Sequence, residues 1–421
     1  MDVELKDSGI EWIGKIPTHW SIMPMKYISN INMGQSPPSE EVTDYGEVPF
    51  LQGNAEFGFI HPTPKHYCDT APKVCNTNDI LISVRAPVGA TNLANQQYAI
   101  GRGLCAIAPK INSEFLFYAL KKYSKDFLYY SNGSTFDAIT IDTLSNFKIA
   151  IPSILEQATI AKQLNVECSH INQLYVIIKE KIQKLKELKR SLISELVTKG
   201  LVPNVDLKDS GIEWIGKIPV DWKLSPLKNV FTVYAGSTPK SDISEYWDGD
   251  IVWVTPSDMD KSQKEIASSK KKITHKGYDS ANLTIVPSGS LILSTRAPVG
   301  TINISTTPLC TNQGCKSLVV KNCKTDVRFY YYFLSILDAP LNALSLGTTF
   351  LELSTRALES FQVPVPKHSM QRAISNYLDI KCSRIDNLID LETKFYEKLT
   401  EYKQSIIYEY VTGKKRVPQE V

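Results

Sequence analysis

The sequence predicts a mixed α/β chain in which two globular modules, in pseudo-two-fold arrangement, are separated by an antiparallel coiled coil of two long helices. Two observations carry this. Between Ser153 and Leu201 apolar residues recur every seven positions, at Leu164, Ile171, Ile178, Leu185 and Leu192, the spacing of a helix seam rather than of a strand. Most of the chain also occurs twice, since Leu5-Lys-Asp-Ser-Gly-Ile-Glu-Trp-Ile-Gly-Lys-Ile-Pro17 returns letter for letter as Leu207 to Pro219. A chain of 421 residues exceeds one ordinary core, so the repeat reads as two modules, each followed by one helix. The expected divisions are 1–152, 153–201, 202–368 and 369–421.

The first module continues from the repeated segment through Trp20, Pro24 and Gly34-Gln-Ser-Pro37, matched by Trp222, Pro226 and Gly236-Ser-Thr-Pro239. Ile80-Leu-Ile-Ser-Val84 reads as a short buried strand ending at Arg85-Ala-Pro-Val-Gly89; its counterpart is Leu291 to Thr295, ending at Arg296-Ala-Pro-Val-Gly300. Ile251 to Thr255 is a further strand, and Phe115 to Tyr123 and Val327 to Leu337 read as aromatic-rich helices. Phe147 to Pro152 and Phe361 to Pro366 read as edge strands entering the long helices. The offset between copies grows from 202 at the first motif to 211 at the Arg-Ala-Pro-Val-Gly turns and 214 at Gly133-Ser-Thr-Phe136 and Gly347-Thr-Thr-Phe350. Shared anchors with diverged letters between them suit two recognition modules for different targets, and also suit drift after duplication.

The first long helix is expected over 154–199, 46 residues or about 70 Å. Ser153 and Glu156 form an S-x-x-E start and Lys199-Gly200 marks its end. A second apolar row is expected at Ile160, Cys168, Leu174, Ile182, Leu188 and Leu196. A shift of 214 maps Gln157, Cys168, Ile171 and Leu174 onto Gln371, Cys382, Ile385 and Leu388, so a second helix is expected over about 369–413. Glu392 interrupts that seam, which is expected to shift to Leu391 and Phe395.

Composition excludes several classes. The charge balance, 47 basic against 44 acidic residues for a net +3, neither demands nor excludes nucleic acid. No apolar run approaches a membrane span, and the acidic start Met1-Asp2-Val3-Glu4 is unlike a signal peptide, so a cytoplasmic protein is expected. The eight cysteines (68, 75, 105, 168, 310, 315, 323 and 382) lack C-x-x-C pairs and read as reduced, buried thiols. The six histidines form no H-x-x-x-H pair, and neither a phosphate-binding G-x-x-x-x-G-K-[ST] nor a G-x-G-x-x-G occurs. Ser36-Pro-Pro-Ser39 lacks the aromatic ring with which an adenine methyltransferase loop would stack a flipped base. The chain is expected to be non-catalytic, with no cofactor and no metal.

These motifs make the chain similar to the specificity subunits of type I restriction-modification systems. The similarity rests on Lys6-Asp-Ser-Gly-Ile-Glu-Trp-Ile-Gly-x-Ile-Pro-x-x-Trp20, on Ile151-Pro-x-x-x-x-Glu156-Gln157, on Val411-Thr-Gly413, and on the duplication of the whole. Met370-Gln371 departs from the Glu-Gln of the pattern. The resemblance implies two target recognition domains, each reading one half of a bipartite, asymmetric site in double-stranded DNA. It also implies an antiparallel helix pair on which two modification (methyltransferase) subunits dock, with motor and nuclease activity in restriction subunits. A non-DNA coiled-coil interaction scaffold is the competing reading, and the salt dependence of duplex binding separates the two.

Duplex recognition calls for cations on phosphates and for polar side chains at base edges. Arg85 and Arg296, at equivalent turns, read either as phosphate anchors or as partners of a local carboxylate. Lys270, Lys271 and Lys272 read as a phosphate-tracking loop or as a solvated one. Gln52, Asn54, Gln96 and Gln97 in the first module, and Thr255, Ser257, Asn312 and Gln313 in the second, supply donors and acceptors for base reading. Gly133-Ser134-Thr135 and Gly347-Thr348-Thr349 read as turns. Trp12, Ile13, Trp214 and Ile215, identical across diverged halves, either dock a modification subunit or pack against the long helices.

Overall fold

The computed structural model describes residues 4–124, 127, 138–296, 299–344 and 352–417. The chain divides into two compact units, Met1–Glu180 with Glu392–Val421, and Lys181–Leu391. Each long helix contributes one stretch to each unit.

In the first unit the repeated segment folds as a hairpin, Leu5–Asp7 against Lys15–Pro17. The module beyond it has one antiparallel sheet ordered Ser29–Met33, Leu104–Pro109, Ile80–Ser83 and Thr91–Leu93. A second sheet is ordered His66–Tyr67, Pro49–Leu51, Tyr98–Ile100 and Val74–Cys75. Alternation along a strand sends neighbouring side chains to opposite faces. Ile80 and Ile82 accordingly join the core beneath the helix Ser113–Lys122, while Leu81 joins Leu51, Tyr98 and Ile100 on the other side. Burial on both faces explains the uninterrupted apolar run.

The second unit repeats this plan. Its main sheet is ordered Phe231–Ala235, Cys315–Val320, Leu291–Ser294, Ile302–Ser305 and Glu265–Ile266. Leu291 and Leu293 face the core of the helix Val327–Ser335, and Ile292 faces Val254 and Leu309. In each unit a strand leads into a long helix: Lys148–Ile151 pairs with Ser21–Pro24, and Gln362–Val365 with Lys223–Pro226.

The helices span Ile154–Lys199 and His368–Val411. At the first start the Glu156 carboxylate accepts from the Ser153 amide at 3.1 Å, and the Ser153 hydroxyl accepts from the Glu156 amide at 3.3 Å. Buried Gln157 donates to the Pro152 carbonyl at 2.9 Å and accepts from the Asn112 amide at 3.1 Å. Gln371 does the same with Pro366 and Asp326, at 2.8 and 2.9 Å. The helices end at Gly200 and Gly413, whose φ values of +81° and +69° lie in the left-handed region that favours glycine. Gly413 lies against Pro17 and Trp20 of the first hairpin segment, and Gly200 against the Trp222 ring of the second.

The seam departs from expectation in its second row. Leu174 and Leu188 are exposed, and Tyr175 and Lys189 occupy those positions instead. Tyr175 packs on Tyr396 with ring centroids 4.6 Å apart and donates to Thr400 Oγ1 at 3.1 Å. Lys403 donates to Asn172 Oδ1 at 2.5 Å, so partners climb one helix as they descend the other, and the pair is antiparallel in the first unit. In the second unit Lys189 donates to both oxygens of Asp386 at 2.7 Å. Leu391 and Phe395 are also exposed; the seam runs unshifted through half-buried Glu392 and Tyr396 to buried Leu399. A shift to Leu391 and Phe395 would rotate the apolar stripe away from Ile385 and Ile406, which stay buried.

Of the cysteines seven are buried, none is in a disulfide, and Cys323 departs from the expectation by being exposed.

Candidate nucleic-acid interface

Three loops converge at one end of the first module. They are Gly34-Gln-Ser-Pro37, the segment Gln52–Asn54 that follows the strand Pro49–Leu51, and the turn Gly101-Arg102-Gly103. Backbone bonds tie them together: Gln35 to the Ile100 carbonyl at 2.9 Å and Gly101 to the Leu51 carbonyl at 2.8 Å. Any Cβ at Gly34 would collide with the Gly101 carbonyl, which explains the glycine. The Ser36 hydroxyl accepts from the Arg102 amide at 3.2 Å and from Gln52 Nε2 at 2.9 Å. Ser36, Gln52 and Arg102 thereby rim a cleft of about 340 Å³ with Val42 and Phe50 in its wall. Asn54 lies half-buried beside it in sequence, its carbonyl accepting from the Phe57 amide.

The Arg-Ala-Pro-Val-Gly turn belongs to the same end. Ser83 pairs with Leu104, and the Val84 amide donates to the Gly103 carbonyl at 2.9 Å; beyond this point Gly101 to Leu104 closes a turn that carries Arg102, and Arg85 bridges Ala138. Both arginines are exposed, and neither has a carboxylate partner among the described residues.

The second module builds the same corner with other side chains. Ser237 donates to the Thr311 carbonyl at 3.0 Å, and the Thr238 hydroxyl donates to the Gln313 amide oxygen. Asn312 Oδ1 accepts from the Gly314 amide at 3.0 Å. Thr255 donates to Asp258 Oδ2 from its amide at 2.9 Å and from its hydroxyl at 2.6 Å, and the same carboxylate accepts from the Lys270 amide at 2.8 Å. Lys270 Nζ then reaches the Ser257 carbonyl at 3.2 Å, which gathers Thr255, Ser257, Lys270, Asn312 and Gln313 at one corner. Lys271 sits 5.4 Å over the Trp247 ring, and exposed Lys272 pairs in a strand with Val252.

Arg296 differs from Arg85. Its guanidinium donates to Glu352 Oε2 from Nε at 3.0 Å and from a terminal nitrogen at 2.9 Å, so here the carboxylate partner is present.

Gln96 and Gln97 do not join the cluster. They lie exposed at the far end of the strand Tyr98–Ile100, about 13 to 17 Å of chain from the Gly101 turn. The residues that correspond in the fold to Asn312 and Gln313 are Gly101 and Arg102. Arg102 escaped the sequence reading, although it precedes Gln313 by 211 residues, the offset that relates Arg85 to Arg296. Gly133–Thr135 and Gly347–Thr349 fall outside the described residues.

Of the docking candidates, the isoleucines are buried and the tryptophans half-exposed. Ile13 and Ile215 are core residues of their units, with no side-chain surface for a partner. Trp12 stacks on Phe147 at 5.3 Å and donates to the Lys148 carbonyl at 3.3 Å; Trp214 stacks on Phe361 at 4.9 Å. Each stack covers one face of the indole, and both rings stay half-exposed. Among the described residues no group of His, Cys, Asp and Glu could hold a metal ion, and no helix is long and apolar enough to cross a membrane.

A family model described as Type I restriction modification DNA specificity domain matches residues 17–187 and 219–401. The type I restriction enzyme MjaIX specificity subunit of Methanocaldococcus jannaschii is 36% identical over 187 residues, 44% of this chain and 42% of that protein. The chain thus matches under half the length of that relative. The MjaVIII specificity subunit of the same organism is 24% identical over 96% of this chain and 94% of its own length. A solved structure described as the structural basis of complex assembly and conformational transition of the type I R-M system superposes with a TM-score of 0.73. It is 18% identical and covers 95% of this chain and 99% of its own, a likeness of fold.

Proposed function

Because the chain belongs to the type I restriction-modification DNA specificity family, we propose that it is the subunit that reads a bipartite, asymmetric DNA site and brings modification and restriction subunits to it. The observation that carries this reading is the corner built twice on one backbone plan with different side chains at matching points: Ser36 and Thr238, Gln52 and Thr255, Arg102 and Gln313. A constant frame with exchanged donors and acceptors is what two half-sites of different sequence require.

In this reading Gln52, Asn54, Arg102, Thr255, Ser257, Asn312 and Gln313 face base edges, and Arg85 and Lys270 to Lys272 face phosphates. Gln96 and Gln97 lie off the corner and contribute less. The protein itself is non-catalytic and cytoplasmic. Two methyltransferase subunits modify the site, and restriction subunits supply the motor and nuclease.

The test is co-expression with modification subunits, followed by methylation mapping of host DNA, for the parent and for a chimera in which residues 21–150 come from a relative. One half of the methylated sequence should change and the other persist. A chimera altering both halves, or neither, would count against two independent reading modules.

A further inference from the structure

The two Arg-Ala-Pro-Val-Gly turns are superimposable in sequence but not in charge. In the first module Arg85 forms a backbone bridge with Ala138; in the second Arg296 forms the same bridge with Glu352. A third position varies with this pair. Cys105, opposite Ile82, corresponds to Lys316, opposite Leu293, and both sit on an inner strand of their sheet. Lys316 has only 7% of its side chain exposed and lies 4.0 Å from Glu352. Its burial pushes the amine below the usual lysine value, while Glu352 opposes that shift. Glu352 therefore compensates a buried lysine and at the same time holds the neighbouring arginine. The first module has a neutral thiol and an alanine at those places, and its arginine is left exposed.

Resting on the DNA-reading function above, we propose that the turn contacts DNA phosphate in the first module alone, through Arg85, whereas in the second module Glu352 withholds Arg296 from the duplex. A guanidinium already bonded through two nitrogens to a carboxylate must give up that pairing to take a phosphate, and an unpaired one gives up only water.

The trio can be exchanged. In the complex with modification subunits, binding to the methylation-mapped duplex is measured by fluorescence anisotropy across a salt series. Each phosphate contact contributes about 0.9 to the slope of log affinity against log salt. Ala138→Glu should make the slope shallower by about that amount, and Arg85→Ala should do the same. Adding Ala138→Glu to Arg85→Ala should change nothing further. The Glu352→Ala/Lys316→Cys double variant, which recreates the first module's trio, should make the slope steeper by about 0.9, or about 3.5-fold more affinity lost between 50 and 200 mM salt. If Ala138→Glu fails to fold, Arg85→Ala, at an exposed side chain, still decides the first half of the claim. Unchanged slopes in Arg85→Ala, or a double variant that binds more weakly at every salt, would overturn the inference; the latter result would mean that Glu352 aims Arg296 at DNA. A parent complex with no salt-dependent affinity for the mapped duplex would instead refute the DNA-reading function itself.

Discussion

Gln157 and Gln371 each connect a long helix to its module with a single amide: one end satisfies the carbonyl before the helix, and the other an amide at the cap of a shorter helix. Buried polar groups left without partners cost about 1–3 kcal/mol. Gln157→Ala should therefore destabilise by about that much in urea denaturation, and Gln371→Ala likewise; a loss below a few tenths would mean water replaces the amide. Lys121 offers a pH test. Burial, reinforced by nearby Lys403, lowers its amine to about 8 from 10.5. Its ammonium donates to the Phe59 carbonyl at 3.1 Å. Such an amine binds its proton less well folded than unfolded, so stability grows as pH rises between about 8 and 10.5. The wild type should gain stability relative to Lys121→Met across that window and show a constant difference below it. A difference that stays flat throughout would show that Lys121 is solvated.

At the scale of elements, the antiparallel seam divides the apolar residues of the first helix into two groups that composition alone does not separate. Ile171 and Ile178 are buried, whereas Leu174 and Leu188 face outward. Ile178→Ala should cost about 2–5 kcal/mol by loss of transfer energy and the cavity left behind. Leu188→Gln should stay within about 0.5 kcal/mol, as surface changes do. Thermal unfolding of the two variants checks the division, and comparable losses would return Leu188 to the seam. Lys189 and Lys403, 214 residues apart and both on the seam, have different partners: a carboxylate at Asp386 and an amide at Asn172.

At the scale of the molecule, the end of the second helix packs on the first hairpin segment as the end of the first packs on the second, Gly413 on Trp20 and Gly200 on Trp222. The joint that the chain makes covalently through 201–206 is thus made non-covalently between residues near 413 and near 17. A permutant with 421 linked to 1 and opened between Val202 and Asp206 should fold and keep the parent's methylation pattern. A permutant that folds yet methylates a different sequence would refute that equivalence.

The sequence by itself determined the helix limits, the duplication and the buried central strands, because these rest on interactions a few residues long: a capping pair three apart, a glycine stop, a seven-residue repeat. It could not tell Leu174 from Tyr175, since either completes a heptad, and only the partner helix decides which one is covered. It could not tell Arg85 from Arg296 either. The carboxylate that distinguishes them lies 56 residues from Arg296 and reaches it across a bridge between strand ends. Arg102 went unnoticed for the same reason: Ser36, whose hydroxyl accepts from its amide, lies 66 residues away. Local chemistry settles which elements form, and long-range pairing settles which side chains meet at their ends.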